Sequence, residues 1–460
     1  MTNTFKTTMI AMYGAFSLLM LLLSMYKPVY ALYFTVALVF SFMFFGFLAG
    51  KLTINHYAAV LVPSIILSPI ITIPGFFADI RVDDIWLAFG AIVFFANITF
   101  KRKMTNIVIP LYAKLYVLFI AWIGITIFLS SFREPYLYTN RDWTEVYKGL
   151  KLLAYLLIAV NLNLDANKIK KIINVFLVAL LASALFGIMQ YFNFVNVNTW
   201  LTPNYIFETK IYNLETQRRV VGTFGNPNIF GGALLIGIAL SFSNLLSEFK
   251  KRYVIMLIVF FVALTMSLSR TALVSAVILI VLMSVMILWK TKKKVPTFLT
   301  LSFVPVIALI GMRFAPDSFF VRISRLGDLG TDSSFQARLW MWETIWESRS
   351  KINMITGTGP VSNLSITFDN EWLELFTLYG FVGVFLFLLV FGTIYYQLGK
   401  VDGNKISFYN VGVKGLMVVF GISMTMLTIY QLLQLMPVII LLMGVVLNKS
   451  AYQDDLHTER

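Results

Sequence analysis

The stretch NIFGGALLIGIALSFSNLLSEFKKRYVIMLIVFFVALTMSLSRTALVSAVILIVLMSVMILW (residues 228–289) contains three apolar runs, 228–247, 253–268 and 271–289. They are parted first by Glu248 and Lys250-Lys251-Arg252, then by Ser269-Arg270 alone. A helix of about 20 residues crosses the roughly 30 Å of a bilayer's hydrocarbon core. Three such runs in series, punctuated by charges, read as successive membrane spans. Working outward, the pattern recurs near 8–26, 29–50, 58–78, 85–100, 111–131, 146–163, 172–193, 296–313, 373–397, 408–428 and 431–448. The fold class expected is an all-α polytopic membrane protein with about fourteen transmembrane helices (12 to 14). The 460 residues are 59% hydrophobic and 13% charged, with mean hydropathy +0.81, which leaves little for a soluble domain.

Composition also narrows the chemistry. The absence of cysteine excludes disulfides, thiolate nucleophiles and Cys-ligated zinc, and two histidines, His56 and His457, leave little for a His-built metal site. No metal and no cofactor are expected. Lys27-Pro28 and a second apolar run follow the first run, where a cleaved signal peptide would show a small-residue site.

Cytoplasmic loops are enriched in Lys and Arg. With both termini assigned to the cytoplasm, the inner side holds 21 basic and 6 acidic residues and the outer side 16 of each, so the whole net charge of +15 lies on one face. The basic balance is therefore a topology signal and not a nucleic-acid footprint.

This orientation divides the chain into N-terminal membrane helices (1–193, about seven spans), a first external loop (194–227), four membrane helices (228–313), a second external loop (314–372), and C-terminal membrane helices with a short cytoplasmic tail (373–460). Loops this long are functional or disordered, and both are too rich in aromatics and glycine for disorder. Within the second, Phe335–Arg349 (FQARLWMWETIWESR) predicts an amphipathic helix with Phe335, Leu339, Trp342 and Trp346 on one face, lying on the membrane surface.

Arginines on the outer side run against the positive-inside tendency. Arg218 and Arg219 precede VVGTFGNPNIFGG (220–232), Arg270 sits in the tight turn between two spans, and Arg338 stands on the surface helix. The functional reading is an anion site: guanidinium groups offer a planar donor fork suited to phosphate, and amides of a Gly-rich turn at a helix N-terminus add donors. The competing reading is solvated loop charges, with Arg270 snorkelling to headgroups.

Carboxylates cluster where the second loop re-enters the membrane, in TFDNEWLELFTLYGFVGVF: Asp369, Glu371 and Glu374. At such a mouth one of them can serve as general base. Helix capping competes, with Asp369 or Asn370 at the N-cap and both glutamates near the positive dipole end. It leaves Gly380 and Gly383 unexplained, which would let another helix or a ligand approach closely. Asn226, Asn228 and Asn370 are the candidate substrate-binding asparagines; Asn226 and Asn228 could bind sugar hydroxyls or serve only the backbone of their turn, and the amides of Gly357-Thr-Gly-Pro360 could hold an anion, although plain turn geometry accounts for them.

Taken in order, RVVGTFGNPNIFGG (219–232), SLSRTALVS (267–275), ARLWMWETIW (337–346), TGTGP (356–360) and DNEWLELFTLYGFVG (369–383) resemble the O-antigen ligase and polymerase superfamily of bacterial inner-membrane proteins, the Wzy/WaaL family. The resemblance covers roughly residues 200–400. Ligases of the family carry His, then Asn, Ser or Gln, nine residues and G-x-x-G. Here Asp369 and Asn370 precede nine residues and Gly380-Phe-Val-Gly383, so the spacing is intact and the histidine replaced. This departure points to the polymerase branch.

The resemblance implies a metal-independent, inverting glycosyltransferase in the bacterial cytoplasmic membrane. Acting at the outer face, it would polymerise undecaprenyl-diphosphate-linked repeat units into capsule, O-antigen or a teichuronic-acid-type polymer of the cell wall. Donor and acceptor would both be lipid-linked glycans, and a flippase and a chain-length regulator are the protein partners implied. Arg219 and Arg270 map onto the family's arginines, Arg338 less directly; they would grip the diphosphate, and Asp369, Glu371 or Glu374 would take the proton. The arrangement expected is one cavity lined by Arg219, Arg270 and Asp369, open to the exterior and sideways to lipid. Two rivals are a ligase delivering the glycan to another acceptor and a transporter or flippase of lipid-linked sugars. The long aromatic loop and the scarcity of charges within the spans weigh against transport.

Overall fold

The computed structural model describes residues 54–68, 70–71, 80–81, 83–84, 86–88, 90, 108–132, 140–162, 164–206, 214, 218–290, 313, 333–347, 351–360, 369–400, 407–427, 429–430, 432 and 434–448. The expected spans 8–26, 29–50 and 296–313, most of 85–100 and much of both loops lie outside the described residues. The helices are α1 (Ile54–Leu67), α2 (Leu111–Ser130), α3 (Asn140–Asn161), α4 (Ala166–Phe192), α5 (Pro227–Ser247), α6 (Lys251–Ser267), α7 (Arg270–Lys290), α8 (Ser333–Glu347), α9 (Lys351–Thr356), α10 (Glu371–Gly399), α11 (Ser407–Ser423) and α12 (Met436–Val446). Single helical turns lie between α4 and α5.

Among the described residues five helices are long and apolar enough to cross a membrane: α2, α4, α5, α7 through Trp289, and α10. The described chain is mostly helical and multi-pass. Two expected spans need correction. The span at 58–78 breaks at Leu67, because Ile70–Ile71 pairs antiparallel with Ile80–Arg81; this two-residue ladder is also the described departure from an all-α chain. Among the described residues, the span at 431–448 is helical only over the 11 residues of α12, every one buried, with Gln434 and Leu435 in the turn before it.

The core is organised around α5. Its apolar residues run round the whole circumference, and nearly all of them are buried, as such a helix requires. It packs against α4, α6, α7 and α11. Small residues set the approach: a Cβ on Gly237 would lie 2.7 Å from the Phe260 ring of α6, and one on Gly231 would lie 2.6 Å from Ala272 of α7. On the other side α10 packs on α2 and α12 on α3.

Helix α1 ends inside the protein, where its final carbonyls need donors. Arg81 Nη2 donates to Ile65 O (2.7 Å), the Thr223 hydroxyl to Ile66 O (2.6 Å) and the Tyr205 hydroxyl to Leu67 O (3.0 Å). The turn before α5 is thereby fastened to α1.

Candidate active site

Helix α6 ends in a two-residue turn to α7, with Leu268 in the left-handed region at φ 52°. The segment before α5 runs alongside: Val220 N donates to Met266 O (3.3 Å) and Arg219 Nε to Ser267 O (3.4 Å). A cation at the carbonyl end of a helix meets the negative end of its dipole. Arg219 Nη2 then reaches Asn228 Oδ1 at 3.2 Å. The arginine is half-buried and bridges two elements, unlike a solvated loop charge, whereas Arg218 beside it is exposed at φ 49°.

Asn226 is the N-cap of α5: its Oδ1 accepts from Asn228 N at 2.8 Å, with Pro227 at the first helical position. The turn before it depends on glycine. Gly225 has φ 69°, and a Cβ there would stand 2.3 Å from Tyr205 O. Because Gly231 admits Ala272, the turn carrying Arg270 lies directly against the start of α5. Arg270 itself is half-buried as the first residue of α7.

Asn370 Oδ1 caps α10, accepting from Leu373 N at 3.1 Å. That assigns the cap to Asn370 and leaves Asp369 outside the helix, half-exposed, with Oδ2 accepting from Arg338 Nε at 3.3 Å. Arg338 also points Nη1 at Met426 Sδ. These contacts turn α8 so that Arg338, Trp342 and Ile345 form its inward stripe. Leu339 and Trp346, expected on the same face as Trp342, are more exposed, although Trp346 still stacks on Phe376.

A cleft of about 110 Å³ joins these parts. Asn226, Asn228 and Asp369 line it with Ala272, Ser423 and a wall of apolar side chains from Phe420 to Leu435. Three candidate residues from two distant loops thus share one cavity, and Arg219 and Arg338 each touch a lining residue. Arg219 and Arg270 were expected to line the cavity themselves. Arg219 instead stands behind Asn228, and Arg270 lies two residues before the lining Ala272.

The glutamates are placed elsewhere. Glu371 is fully buried; its Oε2 accepts from Tyr430 N (2.8 Å) while its own N–H donates to Met424 O (2.8 Å). Glu374 is also buried in the first turn of α10, and neither lines the cleft. The two glycine motifs serve each other. Gly380, at φ 64°, breaks α10 and strands carbonyls that the GTGP turn satisfies: Thr358 N donates to Thr377 O and Gly359 N to Leu378 O, both at 2.9 Å, while Trp122 Nε1 donates to Tyr379 O at 2.8 Å. A Cβ on Gly380 would stand 2.3 Å from Ile355 O, so the close approach is protein backbone and the turn's amides are not spent on an anion.

Two sets of buried ion pairs that draw on α3 escaped the sequence reading. Asp83 pairs with Arg81 (3.0 Å) and Lys151 (2.8 Å), Lys151 with Asp84 (2.5 Å), and Lys148 with Glu145 (2.5 Å). The signal was Lys148 and Lys151, three apart within an expected span, where ionisable residues are functional candidates by default. Among the described residues there is no metal-binding cluster of His, Asp or Glu.

Residues 255–388 match the family model described as O-antigen ligase, from α6 through the first half of α10. The match takes in Arg270, Arg338, Asp369 and both glycine motifs; the 219–232 segment falls outside it. No curated protein matches the sequence.

Proposed function

We propose that this chain, a member of the O-antigen ligase/polymerase superfamily, is a membrane glycosyltransferase of the polymerase branch. It would join undecaprenyl-diphosphate-linked repeat units into a surface polysaccharide at the outer face of the cytoplasmic membrane. The observation that carries this reading is the shared cleft: a Gly-rich helix N-terminus with Asn226 and Asn228, backed by Arg219, faces the same space as Asp369.

In this mechanism a hydroxyl of the acceptor glycan attacks the anomeric carbon of the donor, the bond to the diphosphate breaks, and the anomeric configuration inverts. Asp369 Oδ1 takes the hydroxyl proton, while Oδ2 remains oriented by Arg338. Arg219 and Arg270 meet the negative charge that gathers on the departing diphosphate. Preorganised donors of this kind contribute about 3 kcal/mol each. The arginines supply the charge neutralisation, so the mechanism assigned here routes no step through a metal.

Purified protein in detergent, given pre-formed lipid-linked repeat units, tests the reading. A ladder of longer lipid-linked glycans is the result expected, since polymerisation needs no membrane barrier. Transfer to a non-glycan acceptor alone would indicate a ligase, and no transfer, with movement of the lipid in vesicles, a flippase.

A further inference from the structure

On α3, Glu145 and Lys148 are buried, at 5% and 2% exposure. Two connections lead from this pair to the cleft. Glu145 Oε2 accepts from the Tyr379 hydroxyl at 2.7 Å, and Tyr379 is the last residue before the Gly380 break of α10. The Lys148 ammonium lies 4.9 Å from the centre of the Tyr430 ring, whose hydroxyl shares a hydrogen bond with that of Tyr116 (3.2 Å). Tyr430 closes the segment 424–430. Glu371 clasps that segment at both ends, through Met424 O and Tyr430 N, and Leu427 and Ile429 within it form part of the cleft wall.

Stability does not account for such a pair. Replacing a buried ion pair by apolar groups of similar volume is often neutral or stabilising, and charges within a membrane bundle are costly. We infer that Lys148 and Glu145 are positioning residues: gripping Tyr430 and Tyr379 from behind, they hold the 424–430 wall and the first turns of α10, and so Asp369, in register with the Asn226 turn. The kinetic consequence rests on the glycosyltransferase reading; the structural one rests on the packing alone.

The chain has no cysteine, so an introduced one reports a single position. Leu427→Cys in the wall and Thr199→Cys in the exposed segment after α4 are each labelled with a water-soluble maleimide, with and without Lys148→Met/Glu145→Gln. That double change removes both charges of the pair together. With the wall unmoored, Leu427→Cys should label about tenfold faster and Thr199→Cys at an unchanged rate, while kcat for glycan extension falls about tenfold and KM stays within about twofold. Lys148→Arg should restore both readouts. Unchanged labelling at Leu427→Cys overturns the inference, and so does equal acceleration at both positions, which reports general loosening. Should the double variant not accumulate, Tyr379→Phe removes only the hydroxyl that meets Glu145; wild-type labelling and kcat there overturn the inference equally. A labelling shift in a protein that extends no glycan defeats the polymerase reading and leaves the positioning role standing.

Discussion

Arg338 Nε and Asp369 Oδ2, thirty-one residues apart in the chain, meet at 3.3 Å and join α8 to the mouth of α10. The contact ties a cation to a carboxylate that lines the cleft, and it has a kinetic signature if Asp369 is the base. Asp369→Asn should slow glycan extension about 10²-fold or more. Arg338→Ala should slow it less. The reversed pair Arg338→Asp/Asp369→Arg separates chemistry from mere attachment: it should remain inactive, and recovered polymer length would reduce the pair to a structural tie.

Arg219 bridges Ser267 O and Asn228 Oδ1, so its removal affects both charge and geometry. Arg219→Ala and Arg270→Ala should each shorten the polymer in cells at matched protein level, with rate losses of about 10²–10³-fold in the purified assay. Arg219→Lys keeps the charge without the planar fork and should recover only part of the loss. Polymer of normal length in both alanine variants would end the diphosphate-binding role.

Glu371 should behave as a structural residue. Glu371→Ala removes the acceptor for the buried Tyr430 N–H and should cost about 1.5–3 kcal/mol, read as a lower thermal midpoint in detergent. Glu371→Gln keeps a carbonyl acceptor and should retain most activity; an inactive but fully stable Glu371→Gln would return this residue to the list of proton acceptors.

Gly380→Ala places a side chain at φ 64° and 2.3 Å from Ile355 O. The backbone conformation alone costs about 1–3 kcal/mol, and the clash adds to it. The variant should lose stability before it loses any specific step. Gly392→Ala, with open space around it in the same helix, is the control and should match the wild type in thermal unfolding.

Away from the cleft, Glu248 accepts from Lys170 and Lys250, and these bonds hold its carboxyl at about 2, below the ordinary 4.5. A carboxyl lowered by folding contributes stability above its unfolded value and loses it as pH falls through the folded one. The contribution is therefore constant down to about pH 4.5 and fades toward pH 2. Glu248→Gln should flatten that acid limb in a pH series of thermal midpoints, by a small amount because the group is over a third exposed.

Much of this was legible in the sequence because membrane helices announce themselves by length and apolarity. Eight of the expected spans coincide with helices, α2 to α7, α10 and α11, and the tight turn at Arg270 was visible from the two residues between its runs. The break at Leu67 was not, since β pairing of two residues leaves no periodic trace. The pattern led to an expected cavity lined by Arg219, Arg270 and Asp369, of which the cleft has Asp369, beside Asn226 and Asn228; it left the roles of Asp369, Glu371 and Glu374 open. The structure puts Asp369 before the α10 N-cap and Glu371 and Glu374 after it, a matter of backbone direction that spacing does not show. Gly380 and the GTGP turn looked like two separate sites because nothing in the spacing shows that one supplies donors for the other's carbonyls.

Helix α5, enclosed on every side, cannot shift without disturbing four neighbours at once, and Asn226 is mounted on its tip. The α8 edge is different in kind: it carries Trp340 and Trp346 outward, at 67% and 56% exposure. The two ends of the cleft are therefore unequal: Asn226 stands on an enclosed helix, and Asp369 leans on an exposed one.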